Sequence, residues 1–596
     1  MGKHDRNEKI EKTENIENLE NKDNMVKRTK TKKVEKNEKR KSKILLKIII
    51  VAIFLALVIG VLYLASHNYI RDDITDKTNL IINNSNVTTS LKKDVYVQDG
   101  IVYLSQADID NFFDHSITYD EKYDQMITCS EKKVAALPIG KNHIQINSSN
   151  VTIKEGVIQK DDIYYLPISE LGDVYNIQTT YLAENNVVTI DSLDRDCSIA
   201  TIAKNSSIKY KPTVFSRTVA KVEQGESVTI ANRSEYPVPD GWTRVRTQNG
   251  TLGYIQTNKM GTINQIRETI ETEPKIEGTV SLVWEYFSQY YTAPDRKGTT
   301  IEGVNVVAPA FFRLEQAGKG NILTNVGEDG KDYIAWAHKQ NYQVWPMLSN
   351  ESLNDTTSEI LRDYKLRESL INQIVKYIVQ YDLDGINIDF ENMYEADKDY
   401  FSRFLIELEP RLNEIGAVLS VDVTAPDGAP NWSMCYDRYT IGKVADFIIF
   451  MGYDQYGVSS TEAGTTAGCD WVEANITKFL GQEGVPAEKL ILGMPFYTRF
   501  WEEKNGKIIS KDTVNMKKID NVIPSNVEKK WDENLKQYYV EYKENGVTCK
   551  MWIEDETSFK AKLDLVTEYK LAGAAYWTKD MEKDSIWGII AETLGT

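Results

Sequence analysis

The sequence predicts an α/β chain: a C-terminal (β/α)8 TIM barrel preceded by small β-rich domains and one transmembrane helix. Three observations carry this reading. From Gly278 onward, strand-like apolar runs alternate with helical patterns. Between residues 94 and 260, short alternating strands are broken by turn signals. Near the start, one long apolar run follows a charged tail. With 596 residues the chain is too long for a single ordinary core, so several domains are expected.

Residues 1–43 are dense in Lys, Glu and Asn and almost free of apolar side chains. Such a segment cannot bury enough surface to offset its ordering entropy, so it is expected to be disordered and cytoplasmic. The run "ILLKIIIVAIFLALVIGVLYLA" at 44–65 is long enough to cross a bilayer, with Lys47 snorkelling to the surface. A secretory signal peptide is the alternative, but the basic region is too long for one. Lys and Arg crowd the N-terminal side, so the tail is expected inside the cell. The C-terminal domains are expected outside, on a single-pass protein of the cell membrane. The formal net charge is −17 although the tail is basic, so the remainder is more acidic still. That excludes nucleic acid as a partner and suits a neutral or mixed-charge polymer. Five cysteines (Cys129, Cys197, Cys435, Cys469 and Cys549) have no metal-ligand spacing, so neither a zinc site nor a disulfide framework is expected. No cofactor is implied.

Residues 66–93 read as a polar linker. Within 94–195 two pieces are alike, "YVQDGIVYLSQADIDNFF" and "VIQKDDIYYLPISELGDVYNI": a hairpin leads to Tyr-Leu and then to a helix start at Ser105 or Ser169. This α+β repeat resembles the small N-terminal domain of copper amine oxidases, without implying copper. Residues 198–260 contain "GWTRVRTQNGTLGYIQ", two alternating strands around Asn249-Gly250, a strong hairpin signal. With Gly253-Tyr254-Ile255 it resembles a bacterial SH3-like domain, of the kind that often touches wall peptides; a rigid spacer is the equal alternative. A polar connector fills 261–277.

The barrel occupies 278–594. Its strands read "TVSLVWEYF", "GVNVVAPAFF", "YQVWPML", "GINIDFE", "LSVDVTA", "DFIIFMGYD", "LILGMPFYT" and "AGAAYWT". Helical segments lie between them; in "SLINQIVKYIVQ", Leu370, Ile371, Ile374, Val375, Ile378 and Val379 recur at one-face spacing. The closed barrel that this alternation implies carries one insertion, roughly Trp501 to Met551.

The fourth strand holds the informative stretch, "YDLDGINIDFENM" at 381–393. Side chains alternate across a strand, so Ile386, Ile388 and Phe390 face the helices while Asn387, Asp389 and Glu391 face the lumen. Glu391 comes last, at the C-terminal mouth where barrel active sites are built. Polar groups stacked inside a barrel are costly unless they bond each other or a ligand.

Asp384, Gly385, Asn387, Asp389 and Glu391 together resemble the signature of glycoside hydrolase family 18, the chitinase family, Asp-x-x-Asp-x-Asp-x-Glu. The resemblance continues at Met451, Tyr453 and Asp454 in "FMGYDQYG", Tyr497 and Arg499 in "GMPFYTR", and Trp577 in "AGAAYWTKDME". One position departs: Asn387 stands where the signature has Asp. It cannot hold charge, but it can donate a hydrogen bond that keeps Asp389 oriented. The same Asn, with "VWPML" and "GVNVVAPAFF", is similar to the bacterial spore- and wall-associated N-acetylglucosaminidase branch.

The resemblance implies a substrate-assisted retaining glycoside hydrolase that cleaves β-1,4-linked N-acetylglucosamine polymers. Peptidoglycan ranks ahead of chitin, and the partner is the wall polysaccharide. It implies Glu391 as acid and base, Asp389 as the stabiliser of the cyclic intermediate and Tyr453 as the holder of the acetamido oxygen. Trp577 becomes the floor beneath the sugar, and Asn387, Met451, Asp454, Tyr497 and Arg499 become support or substrate contacts. Two other readings stay open: a non-catalytic sugar binder, against which the presence of Glu391 counts, and an envelope scaffold. Trp284, Trp345 and Trp501 are candidates for a sugar groove or for core.

Overall fold

Alternating apolar and polar positions along the eight C-terminal runs close them into a cylinder. A computed structural model describes residues 40–58, 72–232, 238–269, 274–316 and 320–596, with a few helical positions before residue 40. The barrel strands are β1 (Val280–Glu285), β2 (Val306–Pro309), β3 (Gln343–Val344 and Met347–Ser349), β4 (Gly385–Asp389), β5 (Val418–Val423), β6 (Phe447–Met451), β7 (Leu490–Pro495) and β8 (Gly573–Trp577). Each pairs in parallel with the next, and β8 returns to β1 through Val280↔Gly573 to Val283↔Tyr576. β3 is broken at Trp345-Pro346; a proline has no N–H to give to a ladder.

Two apolar layers follow from the alternation. Ile386, Ile388 and Phe390 on and just after β4, with Val421 and Val423 on β5, pack outward against the helices. Val280, Leu282, Trp284, Val306, Trp345, Met347, Ile449 and Ile491 fill the lumen. Trp284 and Trp345 are thus core, as is Trp501, each at most 1% exposed. Gly385 is where β4 passes closest to its neighbours: a Cβ there would lie 2.7 Å from the Val418 carbonyl oxygen and 2.9 Å from the Trp345 ring, so any side chain forces the strands apart. Helix α1 (Tyr364–Tyr381) is capped by the Asp363 carboxylate, which accepts from the Leu366 N–H. It buries Leu370, Ile371, Ile374 and Ile378, but Val379 is exposed, one step beyond the buried stripe. Helix α2 (Lys398–Asn413) follows β4. The insertion is a five-stranded antiparallel sheet running from Tyr497 to Ile553, a few residues wider than expected at both ends.

Upstream, the two look-alike hairpins, Tyr96–Gln98/Ile101–Ser105 and Ile158–Lys160/Ile163–Leu166, join each other in one four-stranded sheet through Tyr165↔Ser105 and Leu166↔Leu104. Ser105 caps Gln106–Phe112 by accepting from the Asp108 N–H. Asn79–Ile82, inside the stretch expected as linker, pairs with Val187–Ile190, so this domain begins earlier than residue 94. Its five-stranded sheet, Thr118–Thr152, turns Ile127, Cys129, Val134 and Ala136 onto Tyr364 of α1 and Ile406 of α2. Tyr123 and Lys122 both reach the Asp363 carboxylate, and Arg411 donates to Ser148 at 2.9 Å. The stretch Cys197–Arg267 forms a seven-stranded sheet around Ala200, Ile208, Val245 and Ile255. The expected hairpin is present there, Trp242–Thr247 against Leu252–Gln256, with Gly250 at φ 82°.

Among the described residues no helix is long and apolar enough to cross a membrane, which overturns the transmembrane helix expected at 44–65 and the membrane contact resting on it. The described helical run extends to Val58, and its first half carries Arg40, Lys41, Lys43 and Lys47. Its described apolar part, Ile48 to Val58, is shorter than the roughly 20 residues a bilayer requires. Residues 59–65 of the expected span, and most of the tail at 1–43, lie outside the described residues.

Candidate active site

The lumen-facing row of β4 builds the site from within. Asn387 is fully buried, and each side of its amide is used. Its Oδ1 accepts from Trp284 Nε1 at 2.9 Å; its Nδ2 donates to Ser420 Oγ at 3.1 Å and to Asp422 Oδ1 at 2.8 Å. The expected hydrogen bond from Asn387 to Asp389 is not made, because its donors are spent on β5. Asp389, one pleat nearer the mouth, and Glu391, just past the strand, receive no hydrogen bond on their carboxyl groups from the described residues.

Glu391 is held through its backbone. Asn350, fully buried after β3, accepts from the Glu391 N–H at 3.0 Å and donates to the Glu391 carbonyl at 2.9 Å, bracing itself on Thr357 at 3.1 Å. Tyr436 donates to the Phe390 carbonyl at 2.7 Å. The chain on both sides of the Glu391 carboxyl is thereby fixed while the carboxyl itself stays available.

Met451, the last residue of β6, is buried, and Tyr453 just beyond it packs against both the lumenal and the outer layer. Asp454 takes a left-handed φ of 58° and accepts from the Tyr497 hydroxyl at 2.7 Å and from Arg499 Nη2 at 2.9 Å. Tyr497 and Arg499 are 5% and 4% exposed, so this trio is a preset bracket rather than a mobile fringe. Arg499 also donates to Thr513 on the neighbouring strand of the insertion at 2.8 Å, so its bond to Asp454 ties the added sheet to the mouth. Trp577 ends β8 with its ring 5.8 Å from Trp284 and 5.6 Å from Tyr286. The structure therefore brings the expected residues to one end of the barrel, Asn387 beneath and the others around the opening. Asp422, Asn350 and Tyr436 join them without having been expected. Asp422 was readable: in "VLSVDV" it occupies the lumen-facing phase of a strand whose Val421 and Val423 face out.

Burial sets the electrostatics. Burial first, then the Asp454 carboxylate, pushes the Glu391 carboxyl up to about 7. Burial, then Glu391, Asp422 and Glu351, raises Asp389 well above the ordinary carboxylate range. Asp422 is raised by burial too, against the pull of the Asn387 hydrogen bond. Three carboxyls raised by burial and by one another do not all ionise at neutral pH. Tyr453 is raised by burial and by the surrounding acids, so it stays a neutral hydroxyl donor. A carboxyl that still holds its proton near pH 7 is a general acid at its working point.

Asp454→Asn removes the anion nearest in effect to Glu391 while leaving an oxygen that can accept from Arg499. The Glu391 carboxyl then becomes more acidic, and the basic limb of the kcat/KM–pH profile moves to lower pH. A limb that stays put, or moves to higher pH, contradicts the charge coupling.

Barrel and mouth together define a glycoside hydrolase. Residues 283–582 match the family described as Glycosyl hydrolases family 18, half of the chain, and the protein belongs to that family. Residues 81–190 match the Copper amine oxidase N-terminal domain. Among curated relatives, an "Uncharacterized glycosylase YvbX" of Bacillus subtilis is 26% identical over 301 residues, which is 48% of this chain and 84% of that protein. A "Cortical fragment-lytic enzyme" of Bacillus anthracis is 26% identical over 244 residues, 40% of this chain and 56% of that protein. Among solved structures, the Bacillus cereus spore cortex-lytic enzyme SleL aligns with a TM-score of 0.47 at 18% identity, covering 63% of this chain and 90% of that one.

Proposed function

We propose that the barrel hydrolyses β-1,4-linked N-acetylglucosamine polymers of the bacterial wall, peptidoglycan ahead of chitin, by a substrate-assisted retaining route. The observation that carries this reading is the Glu391 carboxyl, raised to about 7 and held by its backbone at the mouth of the barrel beside Asp389. Glu391 protonates the leaving glycosidic oxygen and later takes a proton from the incoming water. The nucleophile is the sugar's own 2-acetamido oxygen, the exception that this family makes to the two-carboxylate rule. Asp389 accepts from the acetamido N–H and balances the positive cyclic intermediate. Tyr453 donates to the acetamido oxygen and fixes its line of attack. Trp577 lies beneath the sugar ring, and the bracket of Asp454, Tyr497 and Arg499 keeps that side of the mouth in place. Support for the wall polymer comes from the relatives whose names include cortical fragment-lytic enzyme. The proposed place of action is outside the cytoplasm, where that polymer lies, with the Cys197–Arg267 unit as a wall-peptide contact of SH3-like type.

The test is direct. The full-length protein is incubated with purified glycan strands and, separately, with N-acetylglucosamine oligomers, and new reducing ends are counted. Release of N-acetylglucosamine reducing ends with retention of anomeric configuration is expected. No new reducing ends from either polymer overturns the proposal in favour of a sugar-binding role.

A further inference from the structure

A cleft of about 110 Å³ opens at the mouth on the side of β1, β2 and β3, lined among others by Tyr286, Tyr290, Met347, Ser349 and Glu351. One cation lines it as well, Arg313, on the short strand Phe312–Leu314. Phe312 and Leu314 are buried in the outer layer, so Arg313 takes the opposite, lumenal phase. Its register is informative. Arg313 is aligned with Ser349, and Ser349 with Asp389, all on parallel strands. The three side chains therefore share one face, and two strand spacings set Arg313 about 10 Å across the mouth from Asp389.

The Arg313 guanidinium is held but not neutralised. Its Nη1 donates to Asn325 Oδ1 at 2.9 Å, and it makes no ion pair among the described residues. Glu351 lines the same cleft without pairing to it. Asn325, also on the lining, keeps its Nδ2 buried and without a partner among the described residues. A planar fork of donors fixed on one side by an amide is shaped for a carboxylate. A neutral N-acetylglucosamine polymer offers none. A strand in which N-acetylglucosamine alternates with N-acetylmuramic acid offers the lactyl carboxylate wherever the stem peptide has been removed.

We propose that Arg313 is a specificity-determining residue that binds the free lactyl carboxylate of peptide-free muramic acid, so that the cleft selects stripped glycan strands over chitin. This rests on the hydrolase reading above and adds the substrate feature that the site recognises.

Binding is measured in a Glu391→Gln background, so that turnover plays no part. The probes are the peptide-free N-acetylglucosamine–N-acetylmuramic acid tetrasaccharide, the same sugar with its lactyl carboxyl reduced to the alcohol, and N-acetylglucosamine tetrasaccharide. The expected result is a preference for the first over the other two that falls about tenfold or more on Arg313→Gln. Arg313→Lys, which keeps the charge and loses the fork, falls between. An unchanged preference in Arg313→Gln, no preference in the Arg313 protein, or no binding of any probe overturns the proposal. Failure of the hydrolase reading would show elsewhere, as absence of new reducing ends from the protein with Glu391 intact.

Discussion

Glu391→Gln loses turnover by at least about 10²–10⁴-fold, the contribution of a positioned proton donor, and the protein melts at a higher temperature above pH 7. The two outcomes share one cause. In the folded protein burial and Asp454 hold the Glu391 carboxyl up to about 7. In the unfolded chain the same carboxyl releases its proton near 4.3. Between those values the folded state binds the extra proton, so stability from this group is complete below the lower value, is lost as pH rises through the window, and stays lost above about 7. At 1.36 kcal/mol per unit, the deficit at pH 8 is on the order of 4 kcal/mol. Glutamine fills the same space, carries no charge at any pH and escapes the penalty. Thermal melts of both proteins from pH 4.5 to pH 8.5 check this: the gap should widen with pH in favour of the variant. A variant that melts lower than the parent at pH 8 would refute a strained carboxylate at this position.

Asn387→Asp has the opposite sign. It restores the acid of the family signature but removes the amide that donates to Asp422 at 2.8 Å inside a dry lumen. Two carboxyls at that distance can ionise only once between them while they stay buried, so the pair retains a proton to high pH. Near pH 5, where one proton is shared, the variant is close to the parent in stability. By pH 9, with both groups driven to ionise, it is less stable by about 3 kcal/mol, the cost of an uncompensated buried charge. Trp284 Nε1 keeps an acceptor in either state, so the loss is electrostatic rather than a packing defect. The check is the slope of melting temperature against pH, steeper in Asn387→Asp than in the parent; parallel slopes would mean that Asp422 is already ionised and tolerates its neighbour.

The legible parts of this protein were those whose cause is local. The phase of Ile386, Asn387, Ile388, Asp389 and Phe390 announces which side of β4 faces the lumen, and the same phase in "VLSVDV" marks Asp422. Asn350 was not legible, because it acts on the backbone of Glu391, 41 residues further on, and no spacing rule connects a side chain to a peptide group across two strands. The role of Asn387 was half legible: its amide was expected to donate, but which acid lies within 2.8 Å is decided by the register of β4 against β5. The apolar run after Lys47 has the composition of a membrane span, yet no helix among the described residues is long and apolar enough to cross a membrane.

The five-stranded sheet seated on Tyr364 and Ile406 covers the flank of the barrel and leaves the catalytic lip alone. A shortened enzyme that starts at Gly278 would keep every residue proposed to touch sugar and lose its lagging. An oily facet would face solvent, and Asp363 would give up both Lys122 and Tyr123. The accessory fold is part of the hull of the hydrolase, and a sluggish or insoluble truncate would report on a missing plank before it reported on chemistry.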